Sequence, residues 1–227
     1  MHLVRWHRGP SPLQLSHTFF FVFLRRRFFP PHPDMFRLAS LHPSSSTVGA
    51  DYWSKVVDLL LNNLSSPSLD LSTNVPIPLL TFRFLSNLLK VRSLYKSTLF
   101  SSVERMSKIC NLASDIFART SNKNIKSSIV TFVHNASLVS HISGSPPPQT
   151  VSSTVSLLCS ILSSASTPPL DQSNVATCLI GLGTLICIGG VKQATDTGHI
   201  ASLVNNSANI SSQQAQEVKG ELLQALM

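Results

Sequence analysis

The chain has 227 residues, a length for one domain or one domain with a tail, and enough to bury roughly 70% of its unfolded surface. Apolar residues make up 43% and charged residues only 12%, so serine and threonine carry much of the polar surface. The net charge of +8 first suggests a nucleic-acid binder, but its placement argues against one. Residues 1–37 hold six arginines and one aspartate; of the twelve remaining basic residues, nine fall between Arg83 and Lys126, against Glu104 and Asp115 alone. A protein that tracks phosphates carries a broader basic stripe, with aromatics placed to stack on bases. What remains is a nearly neutral fold with one basic sector.

The chain opens on Thr18–Leu24, an apolar run of seven residues followed at once by Arg25, Arg26 and Arg27. A membrane span needs about 20 apolar residues, and a signal peptide places its charge before the apolar run, so neither is expected. Five arginines without an acid before Asp34 give a weak likeness to a mitochondrial transit peptide. Residues 1–28 are expected to be a disordered leader or one of uncertain start, with a single domain over 29–227.

From Asp34 onward the pattern is helical. Trp53, Val56, Val57, Leu60, Leu61 and Leu64 fall at i, i+3, i+4, i+7, i+8 and i+11, an amphipathic helix over 51–64 that Ser65-Ser66-Pro67 ends. Pro78 suits the first position of a second helix running to about Val91. Ser101 and Glu104 form a capping box for a third, 102–118, with Val103, Met106, Ile109, Cys110, Ala113 and Phe117 inward. Helices follow over 122–141, 149–165, 173–188, 191–197 and 212–226, parted by Gly, Ser and Pro clusters.

Three of these helices repeat. Leu79–Asn87, Ile129–Asn135 and Leu179–Gly183 superpose on Asn87, Asn135 and Gly183, 48 residues apart both times. That is near the roughly 40–47-residue period of HEAT and armadillo units. In such solenoids one helix per unit lines a groove, where an asparagine can hold an extended peptide with its donor and its acceptor. Two mid-helix asparagines in a Ser/Asn-rich chain would also arise by coincidence.

No reaction is legible. Gly181-x-Gly183 lacks a third glycine and a preceding strand, so it is no dinucleotide site and instead suggests close helix packing. There is no G-x-S-x-G elbow, Walker loop or HExxH. His134 and His141, two turns apart, have no neighbouring carboxylate or thiol in sequence and read as ordinary histidines. Cys110, Cys159, Cys178 and Cys187 lie in apolar stretches without a CxxC pair, as reduced core cysteines of a cytoplasmic or nuclear protein do. Catalytic residues, cofactors and metals are therefore not expected. Arg83, Lys90, Arg92, Lys96, Lys123 and Lys126 are either a solvated face or a binding face; Arg83 lies one turn before Asn87 and should share its side of the helix.

Three groups of residues occur in a familiar order: Phe29-Pro30 with Phe36-Arg37-Leu38 and His42-Pro43-Ser44, then Ser121-Asn122-Lys123-Asn124-Ile125, then Leu182-Gly183-Thr184-Leu185-Ile186. Together they resemble the PUL domain of the phospholipase A-2-activating protein and ubiquitin-fusion-degradation adaptor family, over about residues 28–227. The resemblance implies an all-α, armadillo/HEAT-like right-handed superhelix without enzymatic activity. It also implies a basic groove for the acidic, tyrosine-bearing C-terminal tail of the valosin-containing AAA ATPase, in ubiquitin-dependent turnover and ubiquitin homeostasis. On that basis the peptide-binding residues are Arg83, Asn87, Lys90, Lys123, Lys126 and Asn135. Where relatives carry a groove arginine this chain has Thr177, which implies weaker binding or another register. The propeller and ubiquitin-binding segment of full-length relatives have no counterpart here, so direct ubiquitin binding is not implied. The alternative is a helical-repeat scaffold that binds no tail, directed to an organelle by its basic leader; an enzyme with scattered catalytic residues is a third reading.

Overall fold

The computed structural model describes residues 36, 37, 39, 40, 49–143, 147–164, 170–187, 197–206 and 213–226. The leader, the Phe29-Pro30 and His42-Pro43-Ser44 fragments, and the helix expected over 191–197 (except Thr197) lie outside them. Among the described residues every regular element is helical: α1 (Ala50–Leu64), α2 (Pro76–Leu88), α3 (Arg92–Thr98), α4 (Val103–Arg119), α5 (Lys123–Ser143), α6 (Pro148–Ser163), α7 (Gln172–Cys187), α8 (Thr197–Asn206) and α9 (Gln213–Leu226). The expected all-α helical-repeat class is the one observed.

The helices form two layers. In one, α2 packs on α5, α5 on α7 and α7 on α9; in the other, α1 packs on α3, and α4 on α6, which also meets α8. The layers face each other through the apolar stripes that the periodicity marks. Trp53, Phe82, Phe84, Phe117 and Phe132 are all but fully buried, and each phenylalanine so buried contributes about 1.5–3 kcal/mol relative to exposure. Phe82 of α2 and Phe132 of α5 lie 6.0 Å apart between ring centroids. Phe84 meets Trp53 of α1 at 6.0 Å and Phe36, ahead of α1, at 6.4 Å.

The second layer shows its repeat in hydrogen bonds. Ser107 pairs with Ser153 (2.8 Å) and Ser114 with Ser160 (2.7 Å), both pairs joining α4 to α6 across 46 residues. Their small side chains let the two helices approach while the hydroxyls satisfy each other. The first layer has its own close approach. A Cβ on Gly181 of α7 would stand 3.3 Å from Ser137 Oγ and 3.7 Å from His134 Cα of α5, so this glycine serves packing, as its sequence context suggests.

Two local expectations need correcting. Ser102, not Ser101, caps α4: its side chain accepts from Arg105 N at 3.2 Å and donates to Glu104 Oε2 at 2.7 Å. Ser101 is occupied elsewhere, donating to the Thr98 carbonyl at 3.1 Å, one of the carbonyls that the end of α3 leaves open. α3 itself went unforeseen, since seven residues with only Leu94, Tyr95 and Thr98 buried give too little periodicity. It is fixed from outside: Arg105 of α4 donates to the Thr98 carbonyl at 2.8 Å and to both Asp58 oxygens of α1, at 3.0 and 2.9 Å. One guanidinium thus ties three helices.

Candidate binding groove

The buried stripe of α2 determines what its other side offers. Phe82, Phe84, Leu85 and Leu88 face the core, which leaves Arg83 and Lys90 exposed, with Asn87 at the edge between them. α5 begins at Lys123 because Asn122 caps it, its Oδ1 accepting from Asn124 N (2.9 Å) and Ile125 N (3.2 Å). Thr120 Oγ1 accepts in turn from Asn122 N at 3.1 Å, so the Ser121–Ile125 fragment is a turn followed by a cap. With Ile125, Ile129, Phe132, Val133 and Ala136 buried, α5 turns Asn124, Thr131 and Asn135 outward.

Packing α2 against α5 brings these two faces together around a pocket of about 290 Å³. Arg83 and Asn87 line it from α2 and Lys90 from the turn just after, with Asn124, Thr131 and Asn135 from α5, while Arg37 joins them from the segment ahead of α1. No aspartate, glutamate, histidine or cysteine is among the lining residues. All the charged residues in the lining are therefore cationic, which favours an anionic ligand.

The remaining polar groups sort by what they have left to give. Thr131 donates its hydroxyl to Ser127 O at 2.9 Å, and Ser128 to Ile125 O at 2.7 Å, so each retains only acceptor capacity. Asn87 is 8% exposed and donates from Nδ2 to Arg37 O at 3.4 Å, a tie across fifty residues that seats the Arg37 segment on α2. Among the described residues the half-buried Asn135 amide makes no hydrogen bond, which leaves its donor and acceptor for a ligand. The lining hydroxyls have no base beside them to activate them. The chemistry on offer is recognition: cations for carboxylates and amides for a peptide backbone.

Four of the six expected residues, Arg83, Asn87, Lys90 and Asn135, are brought together here. Lys123 is exposed at the start of α5 but does not line the pocket. Lys126 belongs elsewhere. It is 3% exposed, with Nζ 5.1 Å from the Phe117 ring centroid, and burial pulls its pKa below the usual lysine range. A helical position three residues after Lys123 points toward α4, and cation–π attraction holds the ammonium there. Sequence reading missed Arg37, Asn124 and Thr131 as site residues. Arg37 and Asn124 stand inside family-like fragments, but only the fold shows which way they face.

On α7, which packs on α5, Thr177 donates to Ser173 O at 2.8 Å. His134 is half-buried, with Nδ1 enclosed and unpartnered among the described residues, and burial holds its pKa below the usual histidine value. A wider cleft of about 760 Å³ lies between α4 and α6, but Glu104, Lys108 and Asp115 give it mixed charge and no preferred ligand sign. Among the described residues no cluster of His, Cys, Asp and Glu could hold a metal, and no helix is long and apolar enough to cross a membrane.

The family model described as the PUL domain matches residues 29–221. No curated protein and no solved structure matches the chain.

Proposed function

The chain belongs to the PUL-domain family, a protein-interaction domain, and on that footing we propose a non-enzymatic adaptor that binds the acidic C-terminal tail of the valosin-containing AAA ATPase. Its place would be in ubiquitin-dependent protein turnover and ubiquitin homeostasis, in the cytoplasm or nucleus. The observation that carries this reading is the α2–α5 pocket, where the exposed Arg83 and Lys90 meet the asparagine amides. A charge-assisted hydrogen bond to a carboxylate contributes about 1.5–3 kcal/mol, and a second cation on the same acidic stretch adds to it. Asn135, with both halves of its amide open, is the group to fix an extended backbone between those charges.

Thr177 modifies the expectation. The resemblance implies a groove arginine at this position, and the Thr177 hydroxyl instead donates to its own helix, so the tail should be held mainly at the α2 end. The test is capture of the ATPase on immobilised chain, with its tail intact and with the tail removed. Capture that depends on the tail is the expected result. Equal capture of both forms, or of neither, contradicts the proposal.

A further inference from the structure

Between Asp70 and Glu104 the chain has no acidic residue, while Arg83, Lys90, Arg92 and Lys96 follow one another through the end of α2 and into α3. Lys90 lines the pocket, and Arg92 and Lys96 are exposed. On this stretch most hydroxyls are already engaged. Ser97 donates to Ser93 O and Leu94 O, Thr98 to Leu94 O, Ser101 to Thr98 O, and Ser102 caps α4. Ser93 differs. It is exposed, and among the described residues its hydroxyl makes no hydrogen bond. Its backbone setting is open as well: Val91, just before α3, is extended (φ −113°, ψ 108°), and a helix of seven residues cannot hold its first turn by its own hydrogen bonds. The tie from Arg105 is made at Thr98, the far end of α3.

We infer that Ser93 is a phosphoacceptor for an arginine-directed protein kinase, and that its phosphate lowers the affinity of the neighbouring pocket for acidic peptide. Cations three and one residues before the acceptor, Lys90 and Arg92, complement the acidic substrate cleft of such an enzyme. In the transfer, Ser93 Oγ bonds to the γ-phosphorus of ATP as the bond from that phosphorus to the β–γ bridging oxygen breaks. ADP leaves, and the hydroxyl proton passes to the kinase's carboxylate base. Ser121 is the nearest rival, exposed between Arg119 and Lys123. Its surroundings are less available: Arg119 is held by Asp115 at 2.8 Å, and the Thr120 and Asn122 side chains close the turn.

The consequence for the pocket follows from charge and reach. A serine phosphate carries about −1.5 to −2 at neutral pH and three strong acceptor oxygens. Three residues of chain span at most about 11 Å, so the group stands within side-chain reach of Lys90. It draws that ammonium away from the pocket and repels incoming carboxylates, two effects of the same sign. This second half rests on the adaptor reading; the phosphorylation itself does not.

The experiment treats the full chain with the purified catalytic subunit of an arginine-directed kinase and γ-labelled ATP, and maps the label by mass spectrometry. Label should appear at Ser93 and vanish in Ser93→Ala. No label in wild type, or label at Ser121 that persists in Ser93→Ala, overturns the site. Anisotropy of a labelled aspartate-rich peptide then compares phosphorylated with unmodified chain. Phosphorylation should weaken binding about tenfold at low salt, with the difference shrinking as salt rises, while unmodified Ser93→Ala binds as wild type does. Equal affinity of the two forms overturns the regulation and leaves the acceptor site standing. Failure of the unmodified chain to bind overturns the adaptor reading and the regulation together.

Discussion

The α2 and α7 ends of one helical layer are built alike and finished differently. Both helices bury an apolar stripe against neighbours in the same ladder. On the open side α2 presents Arg83 and Lys90, joined by Arg37, whereas α7 presents Ser173, Thr177, Ile180 and Thr184 without a charge. The difference teaches that the repeat fixes position while the exposed residues fix chemistry.

The strongest way to break the contrast is to reverse the charge at its basic end. Arg83→Glu should weaken an acidic tail peptide by about 100-fold or more, because an attractive contact becomes a repulsive one in a pocket that has no other carboxylate. Titration calorimetry would show it, and affinity within threefold of wild type would remove Arg83 from the site. The opposite change, Thr177→Arg, gives α7 a cation. It should tighten the same peptide by about tenfold, the value of one added charge-assisted hydrogen bond at a partly exposed position. Unchanged affinity would mean the peptide does not reach α7.

A smaller effect is expected between the two ends. Asn135→Ala removes a neutral amide and should cost about five- to tenfold in affinity with little change in salt dependence. Equal loss with a peptide of shifted register would show that no backbone contact is made there. The smallest effect sharpens the boundary of the site. Lys126→Met keeps a long apolar stem over Phe117 and should change peptide affinity less than twofold, although Lys126 falls within the basic sector. A large loss would put its ammonium in the groove after all.

Much of this is legible in the sequence. The stripe from Trp53 to Leu64 marks α1, and Asn87 and Asn135, which superpose in the repeat, line one pocket, since both helices belong to one ladder. Periodicity tells which residues leave the core. It does not tell where a long basic side chain ends: the pattern puts Lys126 in the basic sector, and in the fold its ammonium lies over Phe117 of α4. Arg37 was missed for a different reason. It reaches the pocket through Phe36 packing on Phe84 and through the Asn87 amide, contacts about fifty residues distant that no local pattern encodes. The serine pairs between α4 and α6 were likewise invisible, because a Ser-rich composition hides which hydroxyls face each other.

The central claim is that the α2 end captures acidic peptide by charge. The most direct measurement is fluorescence anisotropy of the labelled ATPase tail against this chain at low and moderate salt. Saturable binding that weakens steeply as salt rises is predicted, because pocket cations at a surface are screened beyond a Debye length of about 8–10 Å. Binding that is indifferent to salt, or no binding while the helical fold persists, would contradict it.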